Sequence, residues 1–279
     1  MSRLHQAGLA LLVGVGFAFA VMAPDAAAAP QTSFTLTDDN SVATFDLASD
    51  AGMSGWTVEG TNQLAKQWFW YRIGTTGDES SIDTLSLDAS AAFDMNGDTY
   101  NDSLYARYLG TGFKIEIRWS LDGGLTGSRN SLTGEQISIT NTSTTSLNFH
   151  FFQYTDFNLG GAGDATDDQV IILLPLVDTI VYQWDPDWEA DTALVVEPDY
   201  YMAGDPATIL ALFSDSSPTT LSGPATAGPG DVAWALQWDF TLKGGRTYLI
   251  GAEKLITPEP ATLGLMALGG LALLLRQRR

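Results

Sequence analysis

The chain has 279 residues, with 33 acidic side chains against 13 basic ones and a formal net charge of −20. That charge repels phosphate backbones and excludes nucleic acid as a partner, while it favours solubility and attracts cations. Cysteine is absent and only His5 and His150 are present, which excludes disulfides, thiolate chemistry and multi-histidine zinc or copper centres.

The N-terminal stretch has the layout of a secretory signal peptide: Arg3 and His5, an apolar run from Ala7 to Met22, then Ala26-Ala27-Ala28-Ala29 as a small-residue cleavage site. Residues 1–29 are therefore expected to be a signal peptide that enters the Sec export machinery, and residues 30–257 a single β-sandwich domain. Phe34–Leu47 reads as a hairpin turning at Asp38-Asp39-Asn40. Gln67–Ile73 reads as a strand with aromatic rings on both faces (Trp68, Phe69, Trp70, Tyr71), a pattern that fits core packing. Phe113–Ser120 alternates strictly, so Phe113, Ile115, Ile117 and Trp119 share one face.

Further along the chain, Glu135–Thr140 reads as a strand. So does Ser146–Tyr154, with Leu147, Phe149, Phe151 and Gln153 on one side and His150 on the other. Val170–Leu174, Thr179–Trp184, Ala193–Val196 and Thr208–Phe213 are further strand candidates. Ser214–Asp231, rich in Ser, Thr, Pro and Gly, reads as an exposed loop, and Ala233–Leu242 with Arg246–Leu255 as a hairpin across Lys243-Gly244-Gly245. The fold class expected is all-β, an antiparallel sandwich of two facing sheets, with a jelly roll or barrel as the alternative.

Three places in this body carry possible chemistry. Asp94, Asn96, Asp98 and Asp102 alternate as oxygen ligands do in an EF-hand-like calcium loop, so Ca2+ is the one cofactor the sequence suggests. Gly97 stands at the fourth position rather than the sixth and Tyr105 at the twelfth, so an acidic turn is the competing reading; Asp164–Asp168 reads as a solvated loop. Trp184 and Trp188 flank Asp185-Pro186-Asp187, an arrangement that could stack on sugar faces while carboxylates bind hydroxyls, with packing of both rings in the sandwich core as the competing reading. His150 is the body's one histidine, without a Gly-x-Ser-x-Gly elbow, and is read as structural; no catalytic residue is assigned.

The end of the chain has three parts: Pro258-Glu259-Pro260, fifteen uncharged residues from Ala261 to Leu275, and Arg276, Arg278 and Arg279. The prolines keep the tripeptide extended and accessible. The uncharged stretch can span as a short transmembrane helix of about 22 Å, pinned by arginines on the cytoplasmic side. In this order the parts resemble the PEP-CTERM sorting signal of Gram-negative bacteria. The resemblance implies that residues 258–279 are a sorting segment, with Pro258, Glu259 and Pro260 as sorting motif and the three arginines as stop-transfer charges. It implies processing by an exosortase, an inner-membrane anchor before processing, and a later place on the cell surface or in the extracellular matrix, beside exopolysaccharide in biofilms. The expected role is non-enzymatic. A carbohydrate-binding module and a secreted glycoside hydrolase or lyase are the alternatives.

Overall fold

The structure is a computed structural model, and it describes residues 29–173 and 179–259. In chain order its strands are β1 (Ser33–Asp38), β2 (Ser41–Asp46), β3 (Gly52–Val58), β4 (Thr61–Asn62), β5 (Leu64–Ile73), β6 (Ser80–Ser81), β7 (Ser86–Phe93), β8 (Ser103–Gly110) and β9 (Phe113–Gly123). They continue with β10 (Ser131–Asn141), β11 (Leu147–Phe157), β12 (Gln169–Leu173), β13 (Thr179–Trp184), β14 (Trp188–Leu194), β15 (Tyr200–Gly204), β16 (Thr226–Ala227), β17 (Ala233–Leu242) and β18 (Thr247–Pro258). The α-helix α1 (Pro206–Ser214) lies before β16, and a 3-10 turn covers Ile82–Thr84. The strands form two sheets. Sheet A runs β1-β2-β3-β5-β11-β17-β15, with β4 and β6 on its flanks; sheet B runs β16-β12-β13-β14-β18-β10-β9-β8-β7. The pairing is antiparallel except for a short parallel contact between β3 and β5.

Period-two alternation builds the core. Phe113, Ile115, Ile117 and Trp119 of β9 face inward beside Ile137 and Ile139 of β10, and Phe149, Phe151 and Trp238 face them from sheet A. Trp68, Phe69 and Trp70 are buried, so the aromatic strand is core as expected. The hairpin at Asp39-Asn40 forms, with Asp39 in the left-handed region at φ 43°.

Three expectations are corrected. Ala233–Leu242 and the strand after it do not pair. β17 pairs β11 and β15 in sheet A, while β18 pairs β10 and β14 in sheet B, so the turn at Lys243–Gly245 carries the chain between sheets. The physical reason lies in β17: its first six residues are buried on both faces, and only a central strand with a covered outer face accommodates that.

Thr208–Phe213 is helix, not strand. Asp205 caps it by accepting from the Thr208 N–H at 2.8 Å, Pro206 starts it, and Ile209 and Phe213 fall four apart on its buried side. The segment after it is not wholly exposed. Thr219 and Leu221 are buried and take part in the cover of sheet A, where the Leu221 N–H donates to Gln237 Oε1 at 2.8 Å.

One polar group sits between the sheets. Glu135 of β10 is fully buried and 2.7 Å from Lys254 Nζ of β18. It also accepts from Gln67 Nε2 at 2.5 Å and Gln153 Nε2 at 2.9 Å, both reaching across from sheet A. Burial pushes the Lys254 pKa down, and the Glu135 carboxylate opposes that push.

Candidate functional site

The outer face of sheet B carries no helix among the described residues, and its side chains can be read from the register. Glu253 of β18 lies opposite Ala193 of β14 and Gly134 of β10, and Gly134 lies opposite Ser120 of β9. The adjacent row runs from Gly251 to Gln136 to Arg118 to Tyr105. Small residues therefore form a floor across four strands. A side chain on Gly134 would meet Ser120 Oγ at 2.7 Å, and one on Gly251 would meet Val195 at 3.0 Å. Two depressions of about 300 and 340 Å³ meet along Ser120, Gly134 and Glu253. Val195 and Leu249 wall one end and Met95 the other, all three exposed. The Arg118 guanidinium stands 4.8 Å over the Tyr105 ring, and the Tyr105 hydroxyl donates to Glu116 Oε1 at 2.8 Å. Burial, followed by that hydrogen bond, pushes the Tyr105 pKa up to about 12.

The same face continues onto β13 and β14. Tyr182 and Trp184 stack there with centroids 5.1 Å apart, and both are half-buried. Asp191 lies opposite Tyr182 and diagonal to Glu253. Burial, with Glu189 adding to it, raises the Asp191 pKa to about 6.

The two tryptophans suggested for sugar stacking thus part ways. Trp184 joins the outer face, whereas Trp188 turns inward, is only 6% exposed, and is capped by the Arg129 guanidinium at 3.9 Å. The sequence signal for the groove was present but weak: Gly134, Gly251 and Ser120 fall on the outward phase of otherwise alternating strands.

The loop holding Asp94, Asn96, Asp98 and Asp102 closes on itself. Asp94 accepts from the Gly97 and Thr99 N–H groups at 2.6 and 2.9 Å, and Asp98 from that of Tyr100 at 2.8 Å. Asp102 accepts from the Met95 and Asn96 N–H groups, and Asn96 donates to Asp38 at 2.7 Å. Those backbone bonds hold the Asp94 pKa below its ordinary value, while burial raises that of Asp102. Among the described residues no three His, Asp or Glu side chains converge as metal ligands. His150 Nδ1 and Asp239 Oδ1 are 2.7 Å apart on the outer face of sheet A.

At the far end of β18, Pro258 pairs with Trp188, and the Glu259 N–H donates to the Asp187 carbonyl at 3.0 Å. The first two residues of the Pro-Glu-Pro tripeptide are extended, as expected, but half-buried against the β13–β14 turn rather than fully accessible. Burial, then Glu189 and Asp185, raises the Glu259 pKa. The signal peptide, Pro260, the apolar stretch 261–275 and Arg276, Arg278 and Arg279 lie outside the described residues. No helix among the described residues is long and apolar enough to cross a membrane.

The fold and this C-terminal junction define a class: a two-sheet antiparallel β-sandwich whose last strand leads directly into a sorting segment. Residues 257–279 match the PEP-CTERM protein-sorting motif, and the chain carries that motif. It marks an exported, surface-sorted protein processed by an exosortase.

No curated protein matches the sequence. Among solved structures, a bacterial glucoamylase crystallised with acarbose is similar over 91% of this chain with a TM-score of 0.54 at 10% identity. The likeness covers 36% of the glucoamylase, so this chain spans little more than a third of it. A galactose mutarotase-like protein from Lactobacillus casei is similar over 81% of this chain and 100% of its own, with a TM-score of 0.48 at 8% identity. The glucoamylase likeness concerns the fold alone.

Proposed function

We propose that the protein is a non-enzymatic component of the cell surface or extracellular matrix of a Gram-negative bacterium. It holds exopolysaccharide in a biofilm through the outer face of sheet B. The groove across Ser120, Gly134 and Glu253 carries this reading. Its small-residue floor admits a chain lying flat, its exposed Val195 and Leu249 suit the apolar C–H faces of sugars, and Arg118, Gln136 and Glu253 supply hydrogen bonds to hydroxyls. The half-buried Tyr182–Trp184 stack extends the same surface. Sorting supports the reading from the other end: the chain would leave through the Sec machinery, rest on an inner-membrane anchor, and after processing stand where such polymers are.

The test is affinity electrophoresis of the exported protein in gels containing exopolysaccharide from the same host. Retardation is expected, and Trp184→Ala and Glu253→Gln should each weaken it about five-fold with unchanged melting temperature. A wild-type protein that migrates as it does in a polymer-free gel would overturn the proposal.

A second reading has one observation in its favour. Asp191 and Glu253 occupy diagonal positions on neighbouring strands of the same outer face, which puts two carboxylates on one surface as a glycosidase pair requires. Release of reducing ends from the polymer, abolished by Asp191→Asn, would establish cleavage in place of simple retention.

A further inference from the structure

The loop after β11 and the turn between β13 and β14 bring Asp164 and Asp185 together over Gly160, with the buried Asp168 in the same loop. Asp185 of the turn accepts the Asp187 and Trp188 N–H groups on Oδ1, at 2.7 and 2.5 Å. Its other oxygen, Oδ2, is buried and has no hydrogen-bond partner, although the residue is only 1% exposed. A buried carboxylate oxygen in that condition is costly unless a positive group faces it. What faces it is another carboxylate. A side chain on Gly160 would begin 3.0 Å from Asp185 Oδ2 and 2.7 Å from Asp164 Oδ2, so the two oxygens share one small space over a glycine held at φ +75°.

Asp168, fully buried, repeats the pattern: Oδ2 accepts from the Leu159 N–H and Gln183 Nε2, and Oδ1 has no partner. Asp167 Oδ1 and Asn158 Oδ1 are buried and unpartnered as well. The expectation of a solvated acidic loop therefore fails for Asp168. Burial, with Asp185 and Asp167 adding repulsion, raises the Asp168 pKa to about 8, and burial raises that of Asp185.

We propose that Asp164 and Asp185, facing each other across Gly160, bind a calcium ion that ties the β11–β12 loop to the β13–β14 turn. Calcium fits because every available donor is a hard oxygen, and because it accepts irregular shells of six to eight ligands at ~2.3–2.6 Å. Two carboxylates supply the charge. Since no third acidic side chain converges with them, neutral oxygens and water complete the shell, and Asn158 Oδ1 is the buried neutral oxygen of the same loop. This site is separate from the loop at Asp94–Asp102, whose carboxylates already accept backbone N–H groups. It also lies beside the docked sorting junction, because Asp187, which receives the Glu259 N–H, belongs to the same turn.

The experiment is thermal unfolding of the full chain in mild detergent, stripped of metal and then titrated with calcium chloride. A rise of about 5 °C at saturation is expected. Asp164→Asn and Asp185→Asn should remove the rise and Asp94→Asn should keep it. Asp164 is exposed, so its variant carries the test should the Asp185 variant fail to fold. No rise with calcium, an equal rise with sodium at matched ionic strength, or a rise lost in Asp94→Asn and kept in Asp164→Asn would each overturn the proposal.

Discussion

The two sheets share one core but treat their outer faces differently. Sheet A is covered: Phe213 of α1 stacks on Trp70 at 5.0 Å and meets Phe152 edge-on at 5.4 Å, Leu221 is buried beside them, and Arg72 and Glu79 form a buried ion pair at 2.9 Å. Among the described residues nothing covers the outer face of sheet B, where Leu249 is 54% exposed and glycines stand where β10 and β18 cross the groove. The difference teaches where to look for binding. A covered face has used its apolar surface for stability, whereas an uncovered face lined with small and polar side chains remains available to a ligand.

The comparison breaks most severely if the link between the sheets is cut. Lys254→Met should cost roughly 3–5 kcal/mol in thermal or denaturant unfolding, because it removes the cationic partner of the buried Glu135 carboxyl and leaves it the Gln67 and Gln153 amides. Adding Glu135→Leu should recover most of that loss. A single Lys254→Met variant as stable as wild type would mean that Lys254 does not support the polar link that Gln67 and Gln153 of sheet A make to Glu135 of sheet B. The next test compares the two faces directly. Phe213→Ala should cost about 3 kcal/mol by emptying the space between Trp70 and Phe152, while Leu249→Ala on sheet B should cost less than about 0.5 kcal/mol. Equal losses would show that the face of sheet B is not free.

The same contrast explains what could be read from the sequence. β9 alternates cleanly because one of its faces is core and the other open, so Phe113–Ser120 announced both its type and its inward set. β5 and β17 have both faces covered, and continuous apolar runs such as Ala233-Trp234-Ala235-Leu236 give a strand without saying which sheet it joins; the false hairpin with β18 follows from that. Lys254 and Glu135 were legible in principle. Each stands in phase with inward residues, Ile250, Ala252 and Ile256 for one and Ile137 and Ile139 for the other. The groove was less so, because Gly134, Gly251 and Ser120 come from three strands and only pairing brings them together. Trp184 and Trp188 looked equivalent on either side of Asp185-Pro186-Asp187. Their spacing of four residues across a turn gave no sign that one ring would face out and the other in.

The smallest effect concerns the element that makes sheet A different. α1 is nine residues long, too short to be stable as an isolated helix, so its start depends on Asp205. The Asp205 carboxylate accepts from both the Thr208 N–H and the Thr208 hydroxyl, at 2.8 and 2.9 Å, and these bonds hold its pKa below the ordinary carboxylate value. Asp205→Ala should lower the melting temperature by a few degrees, and Asp205→Asn should retain most of the cap. If the cover is what distinguishes the two faces, hydrogen exchange in Asp205→Ala should quicken in α1 and along β15 and β17, against which the helix packs, and stay unchanged in β9 and β10. Uniform acceleration in both sheets would show instead that α1 is part of the global core, and that the bareness of sheet B reflects something other than the presence of a lid on sheet A.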